Sequence, residues 1–165
     1  MRGRLSAQLY LIALGSNRRH RRYGRPREVV AAAMEELSAL GTVTARSPVI
    51  DSAPLGPSAR TFANAAVIVE SALAPDAILA ELKRMERAFG RRRARRWGTR
   101  VLDLDIVLWS GGMCAAPDLA IPHPAFRERA FVIGPAALIA AHWRDPVTSL
   151  TLRQLRFRLS KPRPA

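Results

Sequence analysis

Residues 101–109 read Val-Leu-Asp-Leu-Asp-Ile-Val-Leu-Trp. Apolar and acidic side chains alternate through the first half of this stretch. In a strand, successive side chains leave on opposite faces; at helical spacing the same leucines would scatter around an axis. The stretch is therefore expected to be a strand. Leu102, Leu104, Ile106 and Leu108 would face a core, and Asp103 and Asp105 would share the other face, about 7 Å apart at Cα. A fold built on it must bury one face and leave the other able to neutralise two carboxylates.

The remaining segments restrict the fold further. Leu9 to Leu14 is an apolar run stopped by Gly15-Ser16-Asn17 and reads as a buried strand. Arg2 and Arg4 before it imitate a signal peptide, but the run is short for that role and far short of a membrane span. Pro26 suits the first position of a helix; Val30, Ala33, Leu37 and Leu40 supply its stripe and Gly41 its end. Val43 to Ile50 reads as a strand interrupted by Pro48, which favours a sheet edge. Phe62 to Leu73 reads as another strand. Pro75 and Asp76 open a second helix, with Ile78, Leu82, Met85 and Phe89 as its stripe and Gly90 as its end. With the strand at 101–109 the order is βαββαβ. It predicts an α+β, ferredoxin-like sandwich with a mainly antiparallel sheet. From Pro117 onward the chain is punctuated by proline. Short extra helices are expected near Pro124–Arg129, Pro135–Ala141 and Leu150–Arg156, and a disordered tail over 160–165. No repeat or linker divides residues 1–165, so a single domain is expected.

Charge narrows the function. The chain carries 27 Lys+Arg against 13 Asp+Glu, a net +14, and Lys83 and Lys161 are its only lysines. Arginine makes planar, two-pronged contacts with phosphate and keeps its proton near neutral pH. An anionic partner is indicated: nucleic acid, a nucleotide or a membrane surface. A GC-rich genome that writes arginine for lysine is the competing source of the excess. The single cysteine, Cys114, forms no CxxC or Cys/His cluster, which excludes a disulfide scaffold and fits a reducing cytoplasm.

Two carboxylates as close as Asp103 and Asp105 repel unless a cation lies between them. Hard oxygen ligands favour Mg²⁺, which bridges carboxylates and substrate phosphates; two solvated acids on an exposed strand would also satisfy the pattern. Immediately upstream stand Arg91, Arg92, Arg93, Arg95, Arg96 and Arg100, with Trp97 among them. Cations beside paired acids make sense with a triphosphate and metal between them. An RNA-binding loop, or Arg–Asp pairs with no ligand, are the alternatives. His123 sits between Pro122 and Pro124, where it would hydrogen-bond phosphate, act as an acid, or be structural. Arg129 and Phe131 alternate with other residues, so that one would face a polar ligand while its neighbour packs. Asn64 is an amide in an apolar stretch and needs a partner, either backbone or the edge of a heterocycle.

Taken together these pieces resemble the 6-hydroxymethyl-7,8-dihydropterin pyrophosphokinase family over roughly residues 9 to 140. The resemblance rests on Ala13-Leu14-Gly15-Ser16-Asn17, Ala53-Pro54-Leu55-Gly56-Pro57 and Phe62-Ala63-Asn64-Ala65-Ala66-Val67. It rests most on Arg96-Trp97-Gly98-Thr99-Arg100-Val101-Leu102-Asp103-Leu104-Asp105-Ile106, followed by Pro122-His123-Pro124 and Arg129-Ala130-Phe131. It implies transfer of pyrophosphate from ATP to the pterin hydroxymethyl group, with AMP released, in folate biosynthesis. Asp103 and Asp105 would hold two Mg²⁺ ions. Arg91, Arg93 and Arg100 would engage the phosphates in the catalytic step. Glu86, Trp97, Arg100, Ile106, His123 and Arg129 would line the ATP site. Phe62 and Phe131 would sandwich the pterin, and Ser52, Leu55 and Asn64 would read its rim. No nucleic acid or membrane partner, a monomer and a cytoplasmic location are expected.

The chain departs from the family pattern in four places. Its loop from Gly90 to Trp97 is a residue shorter than usual. Thr99 and Ala53 stand where proline is common, and Phe62 where tyrosine is common. The alternatives are a ferredoxin-like RNA-binding module without catalysis and a family member that has lost activity. In the family reading the loops at 15–25, 52–63 and 90–98 would close over the substrates and exclude water; the unusual basic character of Arg18 to Arg25 has no functional account.

Overall fold

The computed structural model describes residues 6–52, 61–90 and 101–162. The first strand, β1 (Gln8–Ser16), buries Tyr10, Leu11, Ile12, Ala13 and Leu14 consecutively. A strand with one solvated face alternates, so an unbroken buried run means that both faces are covered. β1 lies inside an antiparallel sheet with β2 (Thr42–Arg46), β3 (Ile50–Ser52), β4 (Phe62–Ser71) and β5 (Asp103–Trp109). The order is β2-β4-β1-β5, and β3 pairs with β4. β2 and β3 are the two halves of the edge strand expected around Pro48. At the break, Ser47 donates its N–H to the Ala66 carbonyl at 2.9 Å, and its hydroxyl accepts the Ala66 N–H at 2.8 Å. The ladder is thereby satisfied where proline cannot donate.

One face is covered by α1 (Pro26–Glu36), a 3-10 turn (Leu37–Leu40) and α2 (Pro75–Ala88). Both helices begin on proline. Their stripes (Val30, Ala33, Leu37 and Leu40; Ile78, Leu82, Met85 and Phe89) pack with Tyr10, Ile12, Leu14, Val67 and Val69 in one core cluster. Gly41 ends the first helical segment against the sheet, where a Cβ would lie 2.1 Å from the Glu70 carbonyl oxygen. This α+β core is the ferredoxin-like sandwich expected. The opposite face is covered by α3 (Ala130–Ile139) and α4 (Leu152–Ser160), which pack with Leu11, Ala13, Ala66 and Val107 in a second cluster.

The C-terminal third differs in detail from the expectation. α3 begins five residues before Pro135 instead of on it. The apolar run Phe131-Val132-Ile133 packs on the sheet, and that burial outweighs the hydrogen bond a proline removes. The segment near 124–129 is reduced to a 3-10 turn at Phe126–Glu128. α4 is stopped at its start by a capping box. Thr151 Oγ1 accepts the Gln154 N–H at 3.2 Å, and Gln154 Oε1 accepts the Thr151 N–H at 2.9 Å. A hairpin, β6 (Cys114–Ala116) and β7 (Leu119–Ile121), turns at Pro117-Asp118. Three-residue strands are too short for periodicity to announce.

β5 corrects one expectation. Pairing slips between Leu11 and Ile12, so that Leu11 opposes Leu108 while Ile12 opposes Ile106. Val107 is the extra residue of this bulge, and side-chain direction reverses across it. Leu102, Leu104 and Ile106 stay in the first cluster, whereas Leu108 joins Val107 in the second. Trp109 then returns to the first face and stacks with Tyr10, centroids 6.5 Å apart.

Candidate active site

The register ahead of the bulge is regular: Ala13 opposes Asp105, Leu14 opposes Leu104 and Gly15 opposes Asp103. Asp103 and Asp105 therefore leave the sheet on one face, the α3 side, while Leu104 between them is buried on the other. Their β1 neighbours are glycine and alanine, which leaves room beside the carboxylates. The Asp105 side chain is 45% exposed.

β5 is the edge of the sheet, and a cleft of about 390 Å³ opens along it. Its walls are α2, through Leu79, Lys83 and Glu86, and the β6–β7 turn with His123. Leu104 and Ile106 also line it, and their side chains are in the core, so they offer backbone. Glu86, almost fully buried, accepts the Leu104 N–H at 2.9 Å. An edge strand presents unpaired backbone groups. Alternation turns the Ile106 amide the same way as that of Leu104, so it too is directed at the cleft.

His123 is fixed from two sides. Its N–H donates to the Val107 carbonyl at 3.0 Å, tying the segment to the bulge. Its Nδ1 accepts the Ala125 N–H at 3.2 Å. The neutral ring must then carry its proton on Nε2, which lies 3.9 Å from Asp105 Oδ2. Burial holds the imidazole below the usual histidine range; Asp105 opposes that shift and the charge of Arg129 adds to it. At neutral pH the cleft thus has an Nε2–H donor next to a carboxylate.

The third group lies across the sheet. The Ser52 hydroxyl donates to Asn64 Oδ1 at 2.7 Å. Asn64 opposes Gly15, and its Nδ2 would be only 3.1 Å from a Cβ at that glycine. Two residues before Asn64, Phe62 pairs with Ser52 on the same face. Phe131 is in the first turn of α3, packed against the second cluster. Arg129 caps that helix, and its guanidinium lies 5.9 Å from the centre of the Phe131 ring. The two side chains sit together at a helix start, Phe131 packed and Arg129 partly exposed.

The sheet thus gathers Asp103, Asp105, Ser52, Phe62, Asn64 and Phe131 on one face, and its edge gathers Glu86, Ile106 and His123. Leu55, Arg91, Arg93, Trp97 and Arg100 lie outside the described residues. Three residues escaped the sequence reading. Lys83 and Asp118 line the cleft. Lys83 precedes Glu86 by three positions, a same-side helical spacing that was readable; nothing in the sequence marks Asp118. The third is Asp145, fully buried. It takes Arg127 Nε at 2.6 Å and Nη2 at 2.7 Å, the Thr148 hydroxyl at 2.6 Å and the Val147 N–H at 3.1 Å. Arg127 stands between His123 and Arg129, so this pair anchors the segment that carries both.

The paired carboxylates are hard oxygen donors on an accessible face, a donor set that fits Mg²⁺. Among the described residues no group of three or more His, Cys, Asp or Glu could hold a metal ion. The remaining coordination would fall to water and to phosphate.

Residues 11–141 match the family model described as 7,8-dihydro-6-hydroxymethylpterin-pyrophosphokinase. The chain is similar to the 2-amino-4-hydroxy-6-hydroxymethyldihydropteridine pyrophosphokinase of Methylorubrum extorquens, 39% identical over 132 residues that cover 78% of this chain and 80% of that one. The enzyme of that name from Haemophilus influenzae is 40% identical over 133 residues, 79% of this chain and 80% of that one. Among solved structures, Plasmodium falciparum HPPK-DHPS with pteroate superposes with a TM-score of 0.73 at 12% identity. That likeness concerns the fold. It covers 96% of this chain and 43% of the other.

Proposed function

Because the chain belongs to the 7,8-dihydro-6-hydroxymethylpterin-pyrophosphokinase family, we propose that its β5 cleft binds ATP and that the Ser52–Asn64 face binds the reduced pterin. The reaction transfers pyrophosphate from ATP to 6-hydroxymethyl-7,8-dihydropterin in folate biosynthesis. The observation that carries the site assignment is the unbroken register that sets Asp103 and Asp105 on one face, between an edge cleft and a polar–aromatic face. The pterin hydroxymethyl oxygen would attack the β-phosphorus in line, and AMP would leave. Asp103 and Asp105 would hold two magnesium ions, which when bound supply charge neutralisation and acidify the hydroxyl. The Ile106 backbone would read the base. His123 would donate its Nε2–H to a phosphate oxygen, and Arg129 would add positive charge. Asn64, with Oδ1 committed to Ser52, would present its amide hydrogens to the pterin rim between Phe62 and Phe131. Arg91, Arg93, Arg100, Trp97 and Leu55 keep the roles that the family resemblance gives them.

RNA-binding sheets display stacked aromatics on an open face, and with the family match the binding-module alternative is not supported. No helix among the described residues is long and apolar enough to cross a membrane; a cytoplasmic monomer is part of this proposal. The decisive assay is AMP release from ATP with and without the pterin. Release that depends on both pterin and Mg²⁺ is expected. Release indifferent to pterin, or none at all, would remove the reading.

A second prediction follows from Gly15. In Gly15→Ala the new methyl would press on the Asn64 amide at 3.1 Å, so Asn64 must shift by a few tenths of an ångström. The KM for pterin should rise about threefold to tenfold, the loss of roughly one hydrogen bond, while the KM for ATP stays unchanged. Equal changes in both constants would argue against Asn64 as a pterin contact.

A further inference from the structure

The arginine-rich stretch that precedes α1 is used by none of the chemistry above, yet it is a built loop. His20 and Gly24 exchange backbone hydrogen bonds of 2.8 and 2.9 Å. His20 Nδ1 accepts the N–H groups of Arg22 at 3.0 Å and Tyr23 at 3.2 Å. Gly24 has φ +98°, and a Cβ there would strike the Glu28 carboxylate, which is engaged by the Arg25 N–H. Tyr23 stacks on Phe89 with centroids 4.7 Å apart, and His20 lies 4.8 Å from Tyr23. Backbone, imidazole and aromatic contacts fix the loop. Arg22 lies over the Tyr23 ring at 5.4 Å. Arg18, Arg19 and Arg21 are exposed, and none takes part in an ion pair among the described residues.

The loop's position gives these charges a use. It continues directly from the end of β1, where Gly15 opposes Asp103. It rests on Phe89, about one helical turn beyond Glu86. The cleft walls carry Glu86, Asp105 and Asp118 together with Lys83. A nucleoside triphosphate is a polyanion and is drawn by cations displayed near such a cleft. Charges at a distance near the Debye length, about 8–10 Å in ordinary salt, are felt through solvent and are screened by salt. Exposed cations beside a cleft raise the local concentration and encounter rate of an anionic substrate.

We propose that Arg18, Arg19 and Arg21, displayed on the His20–Tyr23 scaffold, form an electrostatic capture site for the polyphosphate of the nucleotide at the mouth of the aspartate cleft. This rests on the pyrophosphokinase reading. The loop gathers the nucleoside triphosphate and is indifferent to the uncharged pterin.

The test is stopped-flow association of a fluorescent ATP analogue with Mg²⁺, from about 20 to 500 mM salt, a range that spans long and short screening lengths. Wild type is compared with the triple variant Arg18→Gln, Arg19→Gln, Arg21→Gln. The expected result is an association rate about tenfold lower at low salt, with a flatter salt dependence. Pterin association and turnover at saturating ATP should stay within about twofold. Arg21→Glu, a single exposed change, should move the rate the same way and guards against a folding defect in the triple variant. Unchanged ATP rates and salt slopes in both variants overturn the inference while leaving the enzyme reading intact. So does an equal fall in pterin association, which would mean that the loop's shape matters and not its charge. Salt-sensitive binding of a short RNA that the variant loses, with ATP association untouched, assigns the loop to nucleic acid and also overturns it. A wild type that releases no AMP fails the enzyme reading itself and is recognised separately.

Discussion

Asp105→Ala is expected to abolish pyrophosphoryl transfer and leave the fold in place. The fold should survive because Asp105 pairs with Ala13 through backbone, and its side chain is nearly half exposed. Removing one of two like charges on a strand face relieves repulsion. The activity should not survive, because the same carboxylate faces His123 Nε2 at 3.9 Å and is one of the two donors offered to magnesium. Charge stabilisation at a single site of this kind accounts for about 10²–10³ in turnover, and loss of the metal adds to it. A fall in kcat of at least about 10³-fold is therefore expected in AMP release, about 4 kcal/mol in barrier. Thermal unfolding should shift by no more than about 2 °C, under 1 kcal/mol for a chain of this size. Asp105→Asn keeps the shape and loses the charge, and should fail as completely. Near-normal turnover in either variant would remove the aspartate pair from the mechanism.

The largest effect on stability is expected at Asp145, far along the chain from the aspartate strand. Its carboxylate is fully buried, and Arg127, Thr148 and the Val147 amide satisfy it. Truncation to alanine would leave the Arg127 guanidinium, three-quarters buried, without its partner. Breaking a buried pair from one side costs about 3–5 kcal/mol, equivalent to a melting temperature lower by roughly 6–20 °C. Burial alone would raise the Asp145 carboxyl, but the hydrogen bonds of Arg127, Thr148 and Val147, with the charge of Arg127, bring it down to about 2. A carboxyl depressed in the fold favours folding when ionised. Its contribution is present above about pH 4 and lost as pH falls through about 2. Wild type should therefore lose stability across that window, and Asp145→Asn should show a flatter acid limb in denaturant titrations at each pH. Identical acid limbs would exclude this pair as a source of stability. Since Arg127 lies between His123 and Arg129, the KM for ATP in Asp145→Asn should also rise, at temperatures where the variant is folded.

Much of the core was legible because the pattern and the packing agree. The two proline-led helices carry stripes whose every member is buried, and Gly41 and Gly90 end them as expected. Pro48 marked the interrupted edge. The aspartate pair was legible because three residues of unbroken strand, Asp103 to Asp105, suffice to set it. The bulge at Val107 was not: a one-residue slip depends on how β1 and β5 meet, and Leu108 looks like the other leucines until the partner strand is known. The start of α3 was misplaced because proline at a helix start is only a local preference, which an apolar run packed on a sheet overrides.

By itself the sequence determined the βαββαβ order up to residue 109, the two helix stripes and the shared face of Asp103 and Asp105, since each follows from periodicity within a dozen residues or fewer. Only the tertiary structure decided that both sheet faces are covered, that Glu86 reaches back to the Leu104 amide, and that Asp145 anchors Arg127 beneath the His123–Arg129 segment. These contacts join residues 18 positions apart along the chain. No local spacing encodes such a pairing, and the partners meet only when packing brings their elements together.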